Sequence, residues 1–241
     1  MKNRLSNLLL LCYLLLALSY CETDETRNLK DYYYPLEELE KGLTYEYKAI
    51  GEDGLAADLW HYKSNRTDTA QYLLKAYYQD NFVSQLIREE VISNGVLLDQ
   101  LRLFEKDSLG VSHQVKAEIL SPNVLPFETN DENMVYLYKV RFQMPSQPYG
   151  YTTLIINRRF LGDTIYQYQG TTYPAIHFDM RGQALVQDSI NGDIEPRFWG
   201  EEIYAKGLGL VAYRRTFNPK DRGLEYQLVD RFEIEEEGIL K

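Results

Sequence analysis

"FVSQLIREEVISNGVLLDQLRLFEKD", residues 82–107, decides the fold. Two runs rich in Val, Ile and Leu flank Asn94-Gly95. Asn-Gly is a preferred pair for a type I′ turn, because both central residues need positive φ. The stretch therefore predicts an antiparallel β-hairpin, and "SHQVKAEIL", 112–120, continues it as a meander.

The same period of two runs outward in both directions. Upstream, "LTYEYKAI", 43–50, alternates Leu43, Tyr45 and Tyr47 with Thr44, Glu46 and Lys48. "ADLWHYKS" and "AQYLLKAYYQ" follow, each bounded by polar turns. Downstream come "MVYLYKVRFQM", "TTLIINRRF", "TIYQYQ", "TYPAIHFD" and "QALVQDSI", then "GLVAYRRTF" and "LEYQLVDRFEI". Gly162, Gly170, Gly182 and Gly192 punctuate these runs at spacings of 8 to 12 residues. Short strands at that interval imply an all-β fold: a mostly antiparallel sandwich, barrel or half-barrel built from meandering hairpins. Asn191-Gly192 reads as another turn between strands. "SPNVLPFETNDEN", 121–133, has no apolar periodicity and reads as a long connection where two halves of the domain meet.

The N-terminus carries an address. Lys2 and Arg4 precede an apolar run from Leu8 to Leu18. That run suits an export signal and is shorter than the about 20 residues of a membrane-spanning helix. "LSYC", 18–21, resembles the lipobox of bacterial lipoproteins, in which the cysteine is lipidated and becomes the new N-terminus; Tyr20 departs from its usual small residue. Cleavage after Ser19 is the alternative, and it would leave Cys21 a free thiol. The chain therefore divides into a signal peptide at 1–20, a lipid-anchored tether at 21–42 and a β-rich domain at 43–241. Its other cysteine, Cys12, lies in the signal, so lipidation of Cys21 would leave no thiol.

Removing Lys2 and Arg4 from 26 basic residues leaves 24 against 36 acidic ones, a net charge near −12. Such a surface argues against nucleic acid and against attraction to anionic membranes. Tyrosine is abundant at 21 copies. It suits half-buried sheet positions, with the ring packed and the hydroxyl wet, and it also suits stacking on sugars or a partner.

Catalytic patterns are sparse. His61, His113 and His177 form no zinc spacing, and no metal or cofactor is expected. His113 reads as a satisfied core or rim residue. His177 and Asp179, as i and i+2 of a strand, point to one face and are the weak candidates for a base and its orienter. "GVSHQ", 110–114, lacks the closing glycine of a nucleophile elbow. "DSINGDIE", 188–195, fails the calcium-loop spacing.

Two stretches carry a family resemblance. "YYYPLEELEKGLTYEY", 32–47, and "FWGEEIYAKGLGLVAYRR", 198–215, resemble the opening and closing motifs, YYPL-x-x-G and AKG-x-GLV, of outer-membrane lipoproteins of uncharacterised function from Bacteroidota. The resemblance implies a fold and an outer-membrane location and carries no activity. Gly207 and Gly209 read as a structural turn or bulge before the last strands. The expectation is a non-catalytic envelope component, held to the membrane at Cys21, that binds an envelope protein, a polysaccharide or a lipid. A lipid or lipoprotein carrier is the alternative, and a hydrolase using His177 the third.

Overall fold

The computed structural model describes residues 26–52, 54–79, 82–129 and 135–234. The expected signal segment and Cys21 lie outside the described residues. Fifteen strands form: β1 Arg27–Asn28, β2 Leu43–Ala49, β3 Asp58–Arg66, β4 Gln71–Gln79, β5 Phe82–Ile92, β6 Gly95–Lys106, β7 Ser112–Lys116, β8 Glu118–Pro126, β9 Glu128–Thr129, β10 Val135–Phe142, β11 Gly150–Tyr168, β12 Thr171–Asp188, β13 Arg197–Ala205, β14 Gly209–Thr216 and β15 Leu224–Phe232.

The meander closes on itself. β2 to β6, β8, and β10 to β15 form a ring of 12 antiparallel strands. The closing seam pairs β15 with β2, with Leu228 opposite Tyr47 and Arg231 opposite Tyr45. β7 and β8 run in turn along one edge of β6, with the Ala117 N–H bonded to the Leu101 carbonyl between them. Among the open choices of sandwich, barrel and half-barrel, the structure is a closed barrel, which removes the edges of the ring and leaves one only at β7, paired with β6 alone.

Alternation sorts the side chains. Cross-strand partners place Tyr45, Tyr47, Trp60, Tyr62, Lys75 and Glu89 in the lumen. Tyr45, Tyr47, Tyr62, Leu73, Leu101, Phe160 and Phe178 are fully buried there. The outer wall carries ion pairs, among them Arg141–Glu118 at 2.7 Å and Arg88–Asp99. An outer wall laced with ion pairs differs from that of a membrane-spanning barrel, whose outer face is an apolar band.

Three local expectations change. First, residues 121–126 are strand, not a connection. β8 pairs with β10 over its first half and with β6 over its second, so Pro122 and Pro126 sit in a strand laddered only partly on either side. Strands from both sides of the expected meeting point share one sheet. Second, the described part of the tether is packed. β1 pairs with β9, two 3₁₀ turns follow at Lys30–Tyr32 and Glu38–Glu40, and Leu29, Tyr33, Tyr34 and Leu39 are buried. This segment plugs one end of the barrel. Third, the hairpin at Asn94-Gly95 is offset by one residue. Ile92 pairs with Gly95, so Ser93 and Asn94 are the turn, and neither Asn94 nor Gly95 has positive φ. Gly95 is needed for space: a Cβ there would lie 2.7 Å from the Leu125 carbonyl oxygen. A two-residue hairpin with positive φ at both centres forms instead at Gln169-Gly170, with φ +48 and +78.

A polar network ties the plug to the lumen. Tyr33 donates to Glu89 at 2.6 Å, and Lys75 meets the same carboxylate at 2.7 Å. Burial lowers the Lys75 pKa, and the Glu89 charge opposes it. Tyr34 donates to Tyr62 at 3.0 Å, with Lys75 Nζ 4.8 Å above its ring. Deeper in the barrel, Glu202 accepts from Arg158 at 2.7 Å, Arg215 at 2.8 Å and Tyr204 at 3.2 Å. Burial alone would raise the Glu202 pKa; the two guanidiniums outweigh it and hold it down to about 2.

Candidate functional site

The sequence candidates separate in space. His177 and Asp179 do share a face, the outer wall of β12. Each faces a different partner. His177 Nε2 lies 3.3 Å from Glu201 Oε2. Asp179 Oδ2 lies 3.3 Å from Arg181 Nε and 3.9 Å from Arg159 Nη2. The carboxylate beside the imidazole is thus Glu201, a diagonal neighbour on β13 that only the strand register could supply. Glu201 is itself bound by Arg214 at 2.5 Å; burial raises its pKa, and the Arg214 hydrogen bond and charge bring it below the ordinary value. Asp179 instead sits with Asn157, Arg159, Arg181 and Val135 along an open groove of about 340 Å³. A carboxylate held between two guanidiniums is not placed to orient the imidazole.

The turn residues take defined places. Gly192, at φ +85, closes a turn in which the Asp188 side chain accepts the N–H groups of Ile190 and Asn191 at 2.8 and 2.9 Å. Gly207, at φ +74, lies in the β13–β14 turn, and Gly209, at φ +83, opens β14 opposite Ala205. Gly207 donates to the Asp31 carbonyl at 3.0 Å, Lys206 pairs with Asp31 at 2.9 Å, and the Tyr34 ring lies against Gly209. The two motif-bearing stretches therefore touch: the "YYYPL" segment seals the barrel against the "AKGLG" turn.

A meander barrel puts its connections alternately at two ends. The turns at 67–70, 93–94, 169–170 and 206–208 lie at the plugged end. Those at 50–52 and 54–57, 107–111, 143–149, 189–196 and 217–223 lie at the other. The two ends differ in chemistry. At the unplugged end the lumen is walled by half-buried aromatics. Trp60 and Tyr77 lie 4.9 Å apart, and Tyr213 stacks on Tyr226 at 5.2 Å and 10°. Asp58 accepts from Tyr77 at 2.8 Å and from Tyr213. Burial raises the Tyr213 pKa, and the Asp58 charge raises it further, so the phenol stays a donor.

The loops around this mouth expose apolar side chains. Leu109 is 86% exposed, Phe217 79% and Tyr149 65%; Val111, Ile190 and Ile194 are exposed beside them. Among the described residues, every exposed large apolar side chain outside the strands lies on a loop of this end. The turns of the plugged end present Thr, Asp, Ser, Asn, Gln and Lys, and their Leu208 is buried. Sequence reasoning missed this set, because each loop holds only one or two of these apolar side chains among polar ones. Among the described residues no group of acidic, histidine or cysteine side chains could hold a metal ion. No helix among them is long and apolar enough to cross a membrane.

No protein-family model matches the chain, and no curated protein matches it in sequence. Two solved structures resemble it. A candidate lipoprotein from Parabacteroides distasonis superposes with a TM-score of 0.52 at 13% identity, over 83% of this chain and 97% of that one. A candidate exported protein with a YmcC-like fold from Bacteroides fragilis gives 0.49 at 8% identity, over 79% of this chain and 95% of that one. At 13% identity the first likeness is one of fold, and this chain is similar in fold to that protein along nearly all of the other's length.

Proposed function

We propose that the chain is an exported lipoprotein of the cell envelope, anchored to the outer membrane through Cys21, that binds without catalysis through the unplugged end of its barrel. The carrying observation is the asymmetry of the ends: one is sealed by the chain's own Tyr33 and Tyr34, the other combines an aromatic mouth with an apolar rim. The anchor agrees with this orientation. Arg27 at the plugged end is six residues on from Cys21, a reach of about 20 Å at full extension. The plugged end thus faces the anchoring membrane and the rim faces away. The fold shared with a candidate lipoprotein supports the address. A carrier reading draws support from Leu103 and Phe142, half-buried apolar side chains of the inner wall.

Three measurements test the proposal. Cys21→Ser moves the protein out of the membrane fraction and abolishes labelling by a fatty-acid analogue; unchanged fractionation without labelling contradicts the anchor. The Cys21→Ser chain forms a complex with a component of solubilised envelope extract and turns over no ester, peptide or glycoside substrate. Turnover abolished by His177→Ala contradicts the non-catalytic reading, and the lack of any complex contradicts binding. A bound acyl chain in native mass spectrometry favours the carrier.

A further inference from the structure

We infer that the apolar rim of the unplugged end docks a protein whose contact surface combines apolar side chains with lysine and arginine. The inference rests on the reading above that this is the binding end.

The rim side chains are displayed on fixed turns. The Asp107 carboxylate accepts the N–H groups of Leu109 and Val111, both at 2.9 Å, and so holds the loop that presents them. Asp188 does the same for Ile190 at 2.8 Å. The Ser189 N–H and hydroxyl both donate to the Tyr149 carbonyl, linking two neighbouring loops at 3.3 and 3.2 Å. Beside Phe217, Thr216 and Asn218 hydrogen-bond each other at 2.8 and 3.2 Å. Apolar groups held out by such turns lose little freedom on binding, which is how a preorganised interface gains affinity. Exposed apolar groups gathered at one place and rimmed by polar ones mark interaction sites.

Charge selects the occupant. The described rim loops carry Glu52, Asp107, Asp193, Glu195 and Asp221 against Lys220 and Arg222. That acidic excess repels anionic lipid and a second acidic copy of this chain, and it favours a basic partner. The anchoring bilayer is at the opposite end. A saccharide stacks on flat aromatic faces, whereas four of the six rim side chains, Leu109, Val111, Ile190 and Ile194, are aliphatic, and the two aromatic ones, Tyr149 and Phe217, sit on separate loops. Aliphatic knobs ringed by carboxylates fit a protein surface with apolar hollows and cationic margins.

The test places a photo-crosslinking phenylalanine analogue at Phe217, or at Ile165 as the control, in the anchored chain in its own cells. Ile165 is 68% exposed on the β11 wall toward the plugged end. The captured protein is then purified and titrated against the Cys21→Ser chain. The expected result is one protein adduct at 217 and none at 165. Affinity falls by about tenfold or more in a Leu109→Ser, Ile190→Ser, Phe217→Ser variant whose thermal unfolding is unchanged. It also falls between about 50 and about 300 mM salt. Equal adducts at both positions, an affinity indifferent to the triple variant, or an affinity that rises with salt overturns the inference. Adducts at 217 to lipid or polysaccharide, or flotation with vesicles of phosphatidylethanolamine and phosphatidylglycerol, overturn the protein partner and leave the binding end standing. No adduct of any kind at 217 overturns both.

Discussion

Gly209→Ala probes the contact that seals the barrel. Gly209 holds φ at +83, and a Cβ built on it would lie 2.5 Å from Tyr34 Cδ1 and 2.9 Å from Cε1 and Cγ. The backbone cost of an L-residue in the left-handed region is about 1–2 kcal/mol. Steric overlap adds about 1–3 kcal/mol, the usual range for overpacking a core. Tyr34 cannot swing clear cheaply. Its ring is 5% exposed, lies 4.5 Å from the Tyr62 ring, and its hydroxyl is bonded to Tyr62. The single substitution should therefore cost about 2–5 kcal/mol, read by urea unfolding at equilibrium. In a Tyr34→Ala background only the backbone term remains, and the cost should drop to about 1–2 kcal/mol. A single-mutant cost below about 0.5 kcal/mol, or the same cost in both backgrounds, would refute the reasoning.

Gly95→Val should destabilise by about 1–3 kcal/mol, because its Cβ would meet the Leu125 carbonyl, a backbone atom with no rotamer to escape into; chemical denaturation checks it, and a neutral result would mean β6 and β8 are not this close. Glu202→Gln should cost about 2–4 kcal/mol at neutral pH, since it leaves the largely buried Arg158 without its carboxylate, while the half-exposed Arg215 recovers part of its loss from water. The Glu202 carboxyl sits at about 2 in the folded chain against an ordinary 4.5, so its contribution is complete above 4.5 and drains away as pH falls from 4.5 toward 2; the gap between the wild-type and variant unfolding curves should narrow across that window, and a gap independent of pH there would contradict the assignment.

The alternation at 43–50 was legible because period two is local: Tyr45 and Tyr47 face the lumen and Glu46 and Lys48 the outside. Thr44 faces outward yet is buried, and its hydroxyl is satisfied by His61 Nδ1 at 3.1 Å on the neighbouring strand. The tyrosine hydroxyls were expected to be wet. Tyr45 and Tyr47 instead donate to the Leu208 and Leu210 carbonyls, some 163 residues away in sequence. A phenol needs only one acceptor, and nothing local reveals that a distant turn supplies it. The same distance hid the plug, since Tyr33 and Tyr34 become core only through Glu89, Tyr62 and Gly209. Pro122 and Pro126 concealed β8, because proline argues against a strand unless the pairing switches sides. Of the candidate pair, the shared face of His177 and Asp179 followed from parity, but the pairing of His177 with Glu201 needed the β12–β13 register.

Hydrogen exchange on the Cys21→Ser chain, with and without solubilised envelope extract, tests most directly that the unplugged end is the binding end. Protection should appear on the loops at 107–111, 143–149, 189–196 and 217–223, with the turns at 67–70, 93–94, 169–170 and 206–208 unchanged. Protection confined to the latter set, or to the His177 wall, would contradict the account.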